Sequence, residues 1–180
     1  MSRIFKTHSR YWSEIAVYGD YLPWNVHKSN GGDRSNYPEH SGRILDLKGG
    51  SAIAVDHFRG QIEPELIDKI AVVTVPSHDP AKPGIGLSQL AAALTKNGNR
   101  VDASSCLVRT RKTDKRAHGG DRSEKIHLES ITVKNAQLIK GRDVLLLDDV
   151  SKTGNSLRAC RNLLLAAGAR SVECAAIGKT

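Results

Sequence analysis

"VLLLDDVSKTGNS", residues 144–156, decides how the rest of the chain is read. Four aliphatic residues run directly into Asp148 and Asp149. A short turn rich in hydroxyls and Gly follows, and then a helical pattern begins. Two adjacent carboxylates repel each other, and burial makes each costlier still unless something compensates it. The pair therefore either ends its strand in solvent or holds a ligand.

The flanking residues favour the ligand. In parallel α/β sheets, ligands bind outside the carboxyl ends of the strands. A turn that opens a helix offers an anion unpaired N–H groups and the positive end of the helix dipole. Gly154 lets the backbone approach closely, and Thr153 and Ser156 add hydroxyls. The two acids can accept hydrogen bonds from sugar hydroxyls. A ribose 5-phosphate unit needs that combination, with anion donors at one end and acceptors for two hydroxyls at the other. A plain strand or helix cap would explain one acid but not two followed by this turn.

Outward from the motif, apolar strand-like runs alternate with amphipathic helical ones, as in parallel α/β folds. The pattern predicts strands at 70–75 ("IAVVTV"), 101–109 ("VDASSCLVR"), 143–149 and 171–178. It predicts a helix over 85–97, with Leu87, Leu90, Ala91 and Leu94 on one face and Gly98 as a stop. A second helix, 155–168, carries Leu157, Cys160, Leu164 and Ala167 on one face and closes at Gly168. Before residue 70 the pattern is weaker. Pro64 stands at a helix-start position, residues 52–58 fit helix or strand, and the polar stretch 25–43 reads as a loop.

The length of 180 residues fits one domain. No apolar run could span a membrane, and the N-terminal residues lack the apolar region of a signal peptide. A soluble, cytoplasmic protein is expected. Cys106, Cys160 and Cys174 form no CxxC pair and read as buried free thiols. The seven His show no zinc-ligand spacing. A net charge of +8 and a pI near 9.6 suit a polyanionic partner, either nucleic acid or a phosphorylated small molecule. Aromatic residues make up only 4% of the chain, which weakens a case for base-stacking on single strands. The stretch 109–127 holds seven Lys or Arg against three acids. It reads as a solvated loop by charge, and as an active-site lid by its place between two strands.

"LLLDDVSKTGNS" resembles the phosphoribosyl pyrophosphate (PRPP) motif of type I phosphoribosyltransferases, D-D-V-x-T-T-G-x-T/S after four apolar residues. It departs from that motif at Lys152, where a hydroxyl residue is usual. The wider chain, about 44–180, resembles the ComF-like branch of that family. "VVTVPSHDPAKPGIGLSQLAAAL" is similar to that branch's V-P-V-P-x-H segment with the turn and helix that follow. "CLVRTRKT" is similar to its L-x-R-x-R-x-T segment, and "GRDVLLLDDV" and "AAGARSVECAAIGKT" to its last strands. The branch's four-cysteine zinc module is missing.

The resemblance implies an α/β type I phosphoribosyltransferase fold, a Rossmann-like parallel sheet flanked by helices. Residues 1–60 would form a small N-terminal hood and 61–180 the core. Asp148 and Asp149 would serve the sugar and the catalytic step. Val150, Ser151, Lys152, Thr153, Gly154, Asn155 and Ser156 would cradle the phosphate. Ser77 and His78 would line a pyrophosphate loop with Lys82 as helper, although His78 reads equally well as a plain loop residue. Arg109, Arg111 and Lys112 would belong to the lid. Lys48 reads as solvated rather than as a pocket residue. Mg²⁺ would be chelated by PRPP, meeting the protein at most through Asp148 and Asp149. The implied reaction displaces pyrophosphate from ribose C1 by a small-molecule acceptor, through an oxocarbenium-like state. A PRPP- or nucleotide-binding module in a nucleic-acid process is the alternative. Oligomeric state and nucleic-acid contact stay open, and no membrane partner is expected.

Overall fold

The computed structural model describes residues 4–6, 11–12, 14–81, 84–97, 99–112 and 124–180. In chain order these form β1 (Tyr11–Trp12), β2 (Ile15–Val17), α1 (Trp24–Ser29), α2 (Glu39–Lys48), α3 (Ala52–Ile62), β3 (Ala71–Thr74), α4 (Ile85–Thr95) and β4 (Val101–Asp102). There follow β5 (Leu107–Arg109), α5 (Glu124–Ser130), β6 (Ile131–Val133), β7 (Asp143–Ser151), α6 (Asn155–Ala166) and β8 (Ser171–Lys179). The main sheet runs β1-β2-β8-β7-β3-β4. Its last five strands in that order are mutually parallel, with β1 antiparallel at the edge.

Alternation along the central strand builds the two faces, since successive side chains point to opposite sides. Leu145 and Leu147 of β7 join Ile44, Leu47, Phe58, Leu87, Leu90 and Leu94 from α2, α3 and α4. Val144 and Leu146 join Leu157, Cys160 and Leu164 from α6, with Leu107 and Ile131 of the smaller sheet and Cys106 just before it. A strand covered on both faces must be apolar throughout. That requirement is why the run before Asp148 has no polar interruption.

The helices expected at 85–97 and 155–168 form at Ile85–Thr95 and Asn155–Ala166, with Gly168 at φ +98° just beyond the second. Residues 52–58 are helical within α3. All three cysteines are free and buried. No helix of the described residues is long and apolar enough to cross a membrane.

Three expectations are corrected. The stretch 101–109 is not one strand. Val101–Asp102 pairs with β3, whereas Leu107–Arg109 leaves the main sheet and pairs antiparallel with β6. The bend between them is held by Ser104 N donating to Asp102 Oδ1 at 2.9 Å and Cys106 N donating to Ala103 O at 2.9 Å. Side chain-to-backbone bonds of this kind compete with a ladder. The stretch 25–43 is not all loop, because it contains most of α1 and the start of α2. Pro64 opens only a single 3₁₀ turn, Glu63–Glu65, after which Leu66 is extended.

The first sixty residues add more than a cover. β2 pairs with β8, and Ile4, Phe5, Ile44, Leu47 and Phe58 are fully or nearly fully buried in the same core as the sheet. Helix α2 crosses α4 at Gly86, where a Cβ would lie 1.6 Å from Leu47 O. That contact brings the C-terminal end of α2 to the carboxyl edge of the sheet.

Candidate functional site

The carboxyl ends of β3 and β7 open into a cleft of about 470 Å³. Its walls include Asp148, Asp149, Val150 and Ser156 from one segment, and Pro76, Ser77 and His78 from another. Gly84, Gly86 and Leu87 come from the start of α4, Leu47 and Lys48 from the end of α2, and Arg109 and His127 from the third side. Two helix N-termini, those of α4 and α6, thus belong to one opening. Each brings the partial positive charge of its helix dipole to the opening.

The acid pair is asymmetric. Asp148 is 9% exposed, and its Oδ1 accepts from the backbone N–H of Asp149 at 2.9 Å. Its Oδ2 lies 3.5 Å from Ser156 Oγ, which donates to it. Burial first, and the negative charge of Asp149 second, push its carboxyl up to about 8. Asp149 is more open and lies 3.5 Å from the ammonium of Lys48. That ammonium also sits 5.2 Å from the centre of the Tyr21 ring. Burial beside a like charge disfavours the ionised form of Asp148, and Lys48 offsets part of that repulsion.

The strand runs two residues past the pair: Val150 and Ser151, expected in the turn, belong to β7 and pair with Gly178 and Lys179, so the turn is confined to 152–154. Gly154 has φ +76° and caps α6, and a Cβ there would lie 2.9 Å from Ile15 Cδ1. The position therefore excludes a side chain on two grounds, conformation and space. Lys152 and Thr153 are exposed, whereas Ser151 is 2% exposed. The Ser151 hydroxyl is buried without a hydrogen-bond partner among the described residues. Arg158, one turn into α6, reaches back to donate to Thr153 O at 3.0 Å and to Asn155 Oδ1.

The residues expected on the lid separate. Arg109 is 5% exposed and braces the wall from within. Its Nε donates to Ser77 O at 2.7 Å, and its Nη1 donates to Ser130 Oγ at 2.7 Å. Its guanidinium ties the 76–77 loop to α5 and cannot swing out without stranding those acceptors. Arg111 is exposed and pairs with Glu129 at 3.2 Å, and Lys112 pairs with Asp79 at 3.0 Å. Neither lines the cleft. Lys82 and residues 113–123 of the expected lid lie outside the described residues.

A family model described as the phosphoribosyl transferase domain matches residues 87–178, a little over half of the chain. The chain belongs to that family. The match takes in the acid pair, the Gly154 turn and α6. No curated protein matches the chain.

Among solved structures, the chain is similar to an allosteric regulatory enzyme of purine biosynthesis, with 16% identity and a TM-score of 0.46 over 76% of this chain and 25% of that one. It is also similar to a hypoxanthine phosphoribosyltransferase from Staphylococcus aureus, at 15% identity and TM-score 0.41, covering 74% and 62%. A purine phosphoribosyltransferase from Pyrococcus horikoshii Ot3 gives 15% identity and TM-score 0.40, covering 90% and 88%. The chain thus spans a quarter of the length of the first of these and less than two thirds of the second.

Two cleft residues were undervalued in the sequence. Lys48, read as solvated, stands beside Asp149. His127, inside the basic stretch, lines the cleft and places Nδ1 3.5 Å from Arg109 Nη2. The signal for Lys48 was its position as the last residue of an amphipathic helix, directly before Gly49 and Gly50. For His127 no local signal exists, because only the fold of α5 against α6 brings it to the opening.

Proposed function

We propose that this phosphoribosyltransferase binds PRPP with Mg²⁺ in the cleft and displaces pyrophosphate from ribose C1 by a small-molecule acceptor. The observation that carries the reading is the adjacent acid pair in the cleft, set beside the Gly154 turn and the N-terminus of α6. Asp149 accepts from one ribose hydroxyl, and Asp148 exchanges hydrogen bonds with the other. The N–H groups of 151–156 receive the 5-phosphate, with the hydroxyls of Thr153 and Ser156. On the other side, Ser77, His78 and the N-terminus of α4 face the pyrophosphate, in a loop that Arg109 holds in place. Leaving-group charge is stabilised there by fixed donors rather than by mobile ones.

The donor set fits Mg²⁺. It offers two carboxylates, and no cluster of three or more His, Cys, Asp or Glu among the described residues could hold a metal alone. An ion there keeps mostly phosphate, hydroxyl and water oxygens. When bound, it neutralises charge on the pyrophosphate. The acceptor enters beside Tyr21 and Lys48, so the first sixty residues set its identity. The order of motifs supports the ComF-like branch, and the reading implies a cytoplasmic enzyme.

Calorimetric titration with PRPP and Mg²⁺ tests the proposal, followed by a screen of bases and amines for pyrophosphate release. Saturable binding that requires both acids, with turnover on one acceptor, is expected. No PRPP binding by a folded chain would overturn it.

A further inference from the structure

A second cavity of about 430 Å³ lies on the opposite side of α2 from the cleft. Leu47 and Lys48 of that helix line the cleft, while Gly42, Leu45 and Asp46 line this cavity together with Trp24, Arg34 and Tyr37. Its volume falls within the range of small-ligand pockets. Two of the chain's few aromatic residues form a wall. Trp24 and Tyr37 meet edge to face with ring centres 5.0 Å apart. Tyr37 is fixed by donating its hydroxyl to Leu22 O at 2.6 Å.

The loop that carries Arg34 is exposed yet closely tied. Asp33 Oδ1 accepts from Ser35 N at 2.7 Å and from Ser35 Oγ at 2.6 Å. His27 Nε2 lies 2.9 Å from both Asp33 O and Asn36 Oδ1. Ordering an exposed loop costs conformational entropy, and here the bonds hold one cation beside an aromatic wall. Arg34 and Asp46 are opposite in charge and line the same cavity. Neither side chain forms an ion pair or hydrogen bond among the described residues.

We propose that this cavity binds a purine nucleotide of the guanine type, at a site separate from the cleft. The base packs against Trp24 and Tyr37. A carboxylate only accepts hydrogen bonds, so Asp46 demands adjacent N–H donors, which the guanine edge supplies to its two oxygens. An adenine edge would turn a ring-nitrogen lone pair toward it. Arg34, always charged and forked, takes the phosphate.

The test is calorimetric titration of the full chain with guanosine 5′-monophosphate, adenosine 5′-monophosphate and guanosine. The variants are Trp24→Ala, Asp46→Asn, Arg34→Met and the double change Asp148→Asn with Asp149→Asn. Guanosine monophosphate binding should survive the double change, because the site does not use the cleft. Trp24→Ala should weaken it about tenfold or more through lost stacking. Asp46→Asn, at an exposed helix position, should weaken it about tenfold without lowering the melting temperature. Arg34→Met should weaken the nucleotide but not guanosine. Loss of binding in the double variant alone would put the ligand in the cleft and overturn the proposal. Absence of any binding, or equal affinity for adenosine monophosphate, would overturn it as well.

Discussion

The Lys48 ammonium lies 3.5 Å from Asp149 Oδ1, and no other described cation is within ion-pair distance of either acid of the pair. Lys48 therefore acts as the resident counter-ion of an otherwise repulsive site. Both partners are more than a third exposed, so the pair contributes less than about 1 kcal/mol to the fold. Lys48→Met is expected to leave the melting temperature nearly unchanged and to raise the titration midpoint of Asp148. It should also weaken PRPP binding by severalfold. Carboxylate NMR for the midpoint and calorimetry for the affinity check both.

Asp148→Asn and Asp149→Asn should each weaken PRPP binding by about tenfold to a hundredfold, the worth of a hydrogen bond to a charged acceptor. Neither should unfold the empty protein, because each removes a repulsive partner. Ligand-induced thermal shift, measured for both variants, separates this from a capping role. An earlier melt with an unchanged ligand shift would mean that the acids serve only the fold.

The raised Asp148 carboxyl gives stability a definite pH dependence. Between about pH 4 and about pH 8 the folded state binds a proton that the unfolded chain has released. The contribution is fully present below the ordinary carboxylate range and is lost as pH rises toward 8. The empty protein should therefore become less stable across that window, and Asp148→Asn should flatten the slope. Ribose hydroxyls and Mg²⁺ both favour the ionised acid, so binding near neutrality should release a proton. Titration in buffers of different ionisation enthalpy would show it, and proton uptake instead would count against the assignment.

Arg109→Met tests whether this residue braces the fold. It removes the donor of half-buried Ser77 O and one partner of the Ser130 hydroxyl, which keeps its bond to Ile126 O, so the expected loss is roughly 1–3 kcal/mol. Several degrees of melting temperature should go with it. A mobile lid arginine would lose affinity with no change in melting.

Lys152→Thr restores the usual hydroxyl at an exposed position of the phosphate turn. PRPP affinity is expected to rise modestly, by less than about tenfold, with melting unchanged. Weaker binding would mean that the ammonium itself serves the phosphate.

Strands β3, β7 and β8 and helices α4 and α6 were legible because their side chains obey one periodicity each, whereas β1 and β2 were not foreseen. The run 144–147 is apolar on both faces since both faces are covered, and Leu87, Leu90, Ala91 and Leu94 all fall on the buried stripe of α4. The acid pair was legible for the opposite reason, as a local violation of that apolar pattern, one that Lys48 offsets in part. What escaped was set by distant partners. Nothing near Arg109 says that Ser77, thirty-two residues earlier, supplies its acceptor. The strand expected over 101–109 broke because its β-prone residues are divided between two sheets. Lys48 was weighed as a lone cation, and only the crossing of α2 over α4 at Gly86 brings it to Asp149.

The small β5–β6 ladder has a consequence for how such a chain changes over evolution. Arg109 and Ile131 are register partners, so the chain leaves and rejoins the body of the protein at one place. Of the described residues between them, Arg111 and Lys112 stand outside the cleft, whereas α5 packs on α6 and holds Arg109 through Ser130. Exposed Arg111 and Lys112 can therefore change without moving any strand of the main sheet. Substitutions there would leave the acid pair, on another strand, in place.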